Sequence, residues 1–228
     1  MGLLILVDPT KNLILASIMS ADLMRIGEDV DQVMGAGVDM LHLDVMDNHY
    51  VPNLTFGPQI CSDLNKRNCG LGIDVHLMAR PADRLIQSFA AAGATRISIH
   101  PDATIHLDRS LQLIRKLGCQ VGLVINPATT VDCLAFCAHR LDFVTVMTVN
   151  PGFAGQALIP QMLEKIAQIH KLYPGLAICV DGGVCADNMQ ALAMAGATQF
   201  VVGSAIFKQK DYVQTVLNMR QALRVSRA

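Results

Sequence analysis

AGVDMLHLDVMD, residues 36–47, carries the pattern on which the fold turns. Gly37 is placed to end a helix, because glycine accepts the left-handed backbone that closes a last helical turn. An apolar run over roughly 38–44 follows and reads as a buried strand. His42 and Asp44 interrupt it two positions apart, so both side chains point to the same face.

The same punctuation recurs outward from that stretch. Gly93 in AGA, Gly118 in LGC and Gly196 in a second AGA each precede an apolar run. Strands are predicted near 13–17, 38–44, 72–77, 96–100, 121–125, 142–147, 176–181 and 198–203. Helices are predicted over roughly 20–35, 56–68, 82–92, 107–118, 130–138, 160–172, 186–195 and 210–225. Pro81 and Pro160 stand at or just before helix starts, where a missing N–H costs nothing. Eight alternations with no linker or change of composition point to an α/β protein, a closed (β/α)8 TIM barrel. An open doubly wound sheet is the runner-up, but no GxGxxG follows the first strand. We expect one domain over residues 1–228, with residues 1–12 as an N-terminal extension before the first barrel strand.

In such a barrel, chemistry gathers at the C-terminal strand ends. His42, Asp44, His76 in IDVHLM and Asp181 in ICVDGG all fall at or near such ends. Imidazole and carboxylate ligate zinc, iron(II) or manganese, and carboxylates also move protons. Ser17, Asn126, NPGFAGQ (150–156), Gly182-Gly183 and Gly203-Ser204 fall at the same mouth. Glycine-rich turns after the last two strands suit a phosphate, and NPGFAGQ reads as a lid. A small phosphorylated substrate is implied.

Composition narrows the field. The chain has 228 residues, 52% of them hydrophobic, no tryptophan and a net charge of −1. No basic run suggests nucleic acid, and Leu3–Val7 is too short to span a membrane. A cytoplasmic location is expected. Seven cysteines without a CxxC pair read as reduced, structural thiols. The two glutamates, Glu28 and Glu164, fall in predicted helices, and no predicted strand contains lysine, which argues against a Schiff-base aldolase. Metal-assisted proton transfer beside a carbonyl, through an ene-diolate, fits this inventory best.

ILASIMSADL (14–23), LHLDVMDNHYVPNLTFGP (41–58), DVHLM (74–78), INPATT (125–130), MTVNPGFAGQ (147–156), VDGGV (180–184) and VVGSAIF (201–207) together resemble the ribulose-phosphate 3-epimerase family. The resemblance runs in order from residue 13 to about 208. It implies a (β/α)8 barrel, one divalent metal ion (zinc, iron(II), manganese or cobalt) and interconversion of D-ribulose 5-phosphate and D-xylulose 5-phosphate. It makes His42, Asp44, His76 and Asp181 the metal ligands. Asp44 and Asp181 become the two bases on opposite faces of C3. Ser17 and His76 would contact substrate. Gly152, Phe153, Ala154, Gly155, Gly182, Gly183, Gly203 and Ser204 would hold the phosphate or form the lid, and Met46, Met78 and Met147 would wall the site. Relatives of this type self-associate, so a homo-oligomer is expected.

The chain departs from the family pattern at Asn48 and Tyr50, where MDNHYVPN stands for MDGHFVPN, and at Ala154 in GFAGQ. IHPD (99–102) and MTVNPGFAGQ lean toward the D-allulose-6-phosphate 3-epimerases, while VDGG leans back to the pentose enzymes. A non-catalytic sugar-phosphate-binding barrel is the alternative from another class, and the retention of both aspartates weighs against it. Asp47, His49 and Asn53 read as loop-structuring residues. Asp74 faces the same way as His76 and serves either the site or the barrel interior. His100 closes the fourth strand and could line the site, while His106, His139 and His170 face solvent or cap helices.

Overall fold

A computed structural model describes residues 11–67 and 70–224. The strands are β1 Leu13–Ser17, β2 Met40–Met46, β3 Gly72–Met78, β4 Arg96–Ile99, β5 Gln120–Ile125, β6 Phe143–Met147, β7 Ala177–Asp181 and β8 Gln199–Val202. All pair in parallel, in sequence order, and β8 returns to β1 to close the barrel. The helices are α1 Ile26–Gly35, α2 Pro58–Arg67, α3 Asp83–Ala91, α4 Leu107–Lys116, α5 Met162–Leu172, α6 Ala186–Met194, α7 Ser204–Phe207 and α8 Tyr212–Arg224. Apart from Lys11 and Asn12, the extension expected over residues 1–12 lies outside the described residues.

Strand parity builds two separate cores. Ile14, Leu41, Leu43, Val75, Ile97, Val144 and their counterparts face outward into the main core beneath the helices. Leu13, Leu15, Met40, Phe143, Cys179 and Val201 face inward and fill the lower barrel. Gly122 makes that filling possible. A Cβ there would stand 2.3 Å from the Phe143 ring and 2.6 Å from Ser98 Cβ, so the large ring occupies the space of the missing side chain.

Three expectations shift. β2 runs Met40–Met46 rather than 38–44, with Asp39 just before it and its backbone N–H donated to the Ile14 carbonyl. Its carboxylate accepts the Ile14 N–H at 2.8 Å and pairs with Arg220. His42 and Asp44 are therefore mid-strand, with Met46 at the strand's end. The helix expected over 130–138 is two short 3-10 segments, Val131–Leu134 and Ala138–Arg140. Its buried residues, Val131, Leu134 and Cys137, recur every third position, which is the period of a 3-10 turn. The helix expected from residue 20 starts at Ile26. Asp22 Oδ1 accepts the Met24 N–H at 3.0 Å and holds the preceding residues in a turn. Gly37, Gly93, Gly118 and Gly196 follow α1, α3, α4 and α6 with φ of 91°, 98°, 84° and 115°, as their position after helices requires.

Candidate metal centre and active site

β2, β3 and β7 bring His42, Asp44, His76 and Asp181 together, all buried, with one ligand atom of each within 4.8 Å of the others. His42 Nε2 lies 3.3 Å from Asp44 Oδ1 and 3.7 Å from Asp181 Oδ2. His76 Nδ1 lies 3.5 Å from each of those same two oxygens. Four donors placed tetrahedrally about 2.0–2.2 Å from one ion would stand about 3.3–3.6 Å apart, and these four His–Asp separations fall in or near that range. His76 Nδ1 and Asp181 Oδ2 are buried without a hydrogen-bond partner, as two atoms awaiting an ion would be.

The electrostatics agree. Burial opposes charging of His42, but the Asp44 and Asp74 carboxylates outweigh it and raise the imidazole well above its ordinary value. Burial likewise works against ionised Asp44, yet His42 and then His76 hold it far below the usual carboxylate range. His76 is raised too, with burial overcome by Asp181 and Asp44. An anionic field that favours protons on buried imidazoles also favours a cation among them.

Buried groups lie beneath and beside this cluster. His42 Nδ1 stands 2.6 Å from Asp74 Oδ2, and Asp74 pairs with the buried Arg96. His76 Nε2 stands 2.9 Å from His100 Nε2. Burial, then the neighbouring His76, keeps His100 well below the ordinary histidine value. Ser17 donates to Asp44 Oδ2 at 2.5 Å, which leaves Oδ1 to the ligand cluster.

A cavity of about 270 Å3 opens above, lined by Ser17, Asp44 and Asp181. Met46, Met78 and Met147 wall it, and Gly152, Phe153, Ala154, Gly155, Gly182, Gly183, Gly203 and Ser204 line its rim. His42 and His76 lie beneath it and are not among its lining residues. Gly183 has φ 66°, and a Cβ there would stand 2.6 Å from the Leu158 backbone nitrogen. Glycine at this position lets the turn after β7 sit against the loop after β6. Gln156 folds that second loop around itself, donating to the Asn150 and Phe153 carbonyls at 2.7 and 2.9 Å.

The model of the ribulose-phosphate 3 epimerase family matches residues 13–207. The chain belongs to that family. It is 48% identical over 215 residues to the ribulose-phosphate 3-epimerase of Escherichia coli K12, covering 92% of this chain and 96% of that one. It is 50% identical over 206 residues to that of Serratia marcescens, covering 89% and 98%. Among solved structures it resembles a 3-keto-L-gulonate-6-phosphate decarboxylase from Vibrio cholerae, with TM-score 0.75, 16% identity and coverage of 96% and 100%. That likeness speaks for the barrel alone.

Two departures from the ribulose-phosphate 3-epimerase pattern, Asn48 and Tyr50, are accommodated. Asn48 takes φ 57°, a left-handed conformation that its short polar side chain tolerates. The Tyr50 hydroxyl, absent from the usual Phe, donates to Asp102 at 3.0 Å and accepts from Asn126 at 3.0 Å. Its ring packs on His100, with centroids 4.7 Å apart. Asp47 anchors the same loop, accepting backbone N–H groups from His49, Tyr50 and Arg80. His100 stands behind His76 rather than in the cavity wall, and His49, His106, His139 and His170 are exposed. Met19, Cys185 and Lys208 also line the cavity. The sequence reading missed them because they come from segments between the main elements, Met19 from a 3-10 turn over Ile18–Ser20, whose convergence no strand pattern reveals.

Proposed function

We propose that this chain is a metal-dependent ketose-phosphate 3-epimerase that interconverts D-ribulose 5-phosphate and D-xylulose 5-phosphate. The observation that carries the proposal is the buried His42–Asp44–His76–Asp181 cluster beneath a glycine-rimmed cavity, in a chain of this family. Its relatives of 48% and 50% identity bear the name of that activity.

The four residues would hold one divalent ion: zinc, iron(II), manganese or cobalt. When bound, the ion supplies the Lewis acidity that polarises the substrate carbonyl and acidifies the neighbouring C3–H. Asp44 and Asp181 approach the cavity from strands β2 and β7. One carboxylate takes the C3 proton, and the other returns a proton to the opposite face, inverting that carbon. Ser17 orients Asp44 through its Oδ2. Met46, Met78 and Met147 exclude water from the carbanionic carbon and slow unproductive protonation. The turns at Gly182-Gly183 and Gly203-Ser204 bind the phosphate through backbone N–H groups. The loop Gly152–Gly155, with Phe153 and Ala154, covers the substrate.

Incubation with D-ribulose 5-phosphate in deuterated water tests the reading. Xylulose 5-phosphate carrying deuterium at C3 is expected. A metal-loaded protein that neither turns over nor exchanges C3 would refute it, and D-allulose 6-phosphate is then the substrate to try. A cytoplasmic location and self-association belong to the same reading. No helix among the described residues is long and apolar enough to cross a membrane. Light scattering reads the oligomeric state directly.

A further inference from the structure

His42 and His76 both reach the ligand cluster, but they do so with different ring nitrogens: Nε2 of His42 and Nδ1 of His76. An imidazole that gives a lone pair through one nitrogen keeps its proton on the other. What each ring meets on its far side therefore decides whether it can serve an ion.

Behind His42 stands Asp74, with Oδ2 2.6 Å from His42 Nδ1. Arg96 grips this carboxylate, with Nε 2.7 Å from Oδ1 and Nη2 3.1 Å from Oδ2. The guanidinium is held further, because Nη1 donates to Gln199 Oε1 at 2.6 Å and Cζ lies over the Phe143 ring, 4.1 Å from its centroid. A carboxylate so paired is an acceptor only, which assigns the proton to His42 Nδ1 and leaves Nε2 with its lone pair toward the cluster. Behind His76 stands His100, the two Nε2 atoms 2.9 Å apart. Two imidazole nitrogens at that distance share a single proton. If His76 donates it, Nδ1 presents a lone pair to the cluster. If His100 donates it, His76 Nδ1 would carry a hydrogen aimed among the ligand atoms.

We propose that Asp74 and His100 are the positioning residues of the metal centre: Asp74 holds His42 as its Nδ1–H tautomer and His100 holds His76 as its Nε2–H tautomer, so that opposite ring nitrogens face one ion. The Arg96–Gln199–Phe143 floor keeps Asp74 in place. This inference rests on the reading of the four residues as a metal site.

The test is the zinc affinity of the purified protein, measured by competition with a chromophoric chelator. Asp74→Asn and His100→Leu are each expected to weaken zinc binding about 10–100-fold. His100→Gln should stay within about threefold of wild type, since its Oε1 can accept from His76 Nε2–H where His100 Nε2 did. A role limited to packing would not separate Gln from Leu. Zinc binding unchanged in Asp74→Asn and His100→Leu, or lost equally in His100→Gln and His100→Leu, would overturn the inference while the metal centre stood. A wild-type protein that binds no zinc would instead remove the metal centre itself. Because Asp74→Asn leaves a buried guanidinium underpaired, a second measurement uses only the wild type. Long-range proton–nitrogen correlation on the zinc-loaded protein should show protons retained on His42 Nδ1 and His76 Nε2. The same tautomer on both rings would sink the proposal without any variant having to fold.

Discussion

The Asn53 carboxamide donates to the Gly152 carbonyl across 2.9 Å, tying the loop after β2 to the loop after β6. Gly152 lines the cavity, and Asn53 Oδ1 also accepts the Leu54 N–H at 2.9 Å. Asn53→Ala should therefore loosen the lid without disturbing the barrel. A net hydrogen bond of about 1 kcal/mol corresponds to roughly a fivefold fall in kcat/KM, with little change in Tm. Steady-state kinetics beside a thermal melt read both; a large fall in Tm would show that the bond serves the fold instead.

Gly183→Ala is expected to be far more damaging to binding. Its φ of 66° would cost an alanine about 1–2 kcal/mol, and the added Cβ would press on the Leu158 backbone nitrogen. The turn after β7 must shift, and the phosphate donors shift with it. Titration with inorganic phosphate as a competitive inhibitor should show at least a tenfold loss of affinity.

Asp181→Asn should abolish turnover, with a fall of at least a thousandfold in kcat, while circular dichroism remains that of the folded barrel. Full activity in this variant would remove Asp181 from the proton-transfer pair.

The thiols set an alkaline limit. Burial, with a smaller contribution from Cys119, pushes Cys61 up to about 12, and burial pushes Cys119 to about 11. An unfolded chain ionises its thiols near pH 8.5, whereas the fold keeps these protonated, so between those values the native state binds more protons. Their stabilising contribution is complete below about pH 8.5 and declines as pH rises toward the folded values. Cys61→Ala should flatten the fall in urea-measured stability above pH 9 by about 1.4 kcal/mol per pH unit, one proton's worth. Iodoacetamide should label Cys61 only in the unfolded protein.

Asn48 offers a test of backbone strain. At φ 57°, replacement by Ala should cost about 1 kcal/mol, whereas replacement by Gly should be close to neutral. Equal denaturation midpoints for the two variants would contradict the strain argument.

The barrel was readable from local rules, because a buried parallel strand is a short apolar run and a glycine in the left-handed region follows α1, α3, α4 and α6. Part of the candidate cluster was readable too, since parity puts His42 and Asp44 on one face. What lies beneath was not. Asp74 faces His42 only because β3 pairs with β2 in one register, and Arg96 meets Gln199 only because β8 closes on β1. Such contacts depend on stagger and closure, which no single strand contains. Lys208 and Met19 enter the cavity from short connecting segments, where no period guides the reading.

Across β2 and β3 the inward positions pair as His42 with Asp74, Asp44 with His76, and Met46 with Met78. Successive pairs rise about 6.6 Å along the barrel. These pairs are three storeys of one shaft: His42 beside its Asp74 anchor, Asp44 beside His76, and the two methionines. A change confined to the methionine storey leaves Asp44 and His76, two positions earlier on each strand, in their places. A one-residue slip of either strand, by contrast, would turn all three storeys outward at once.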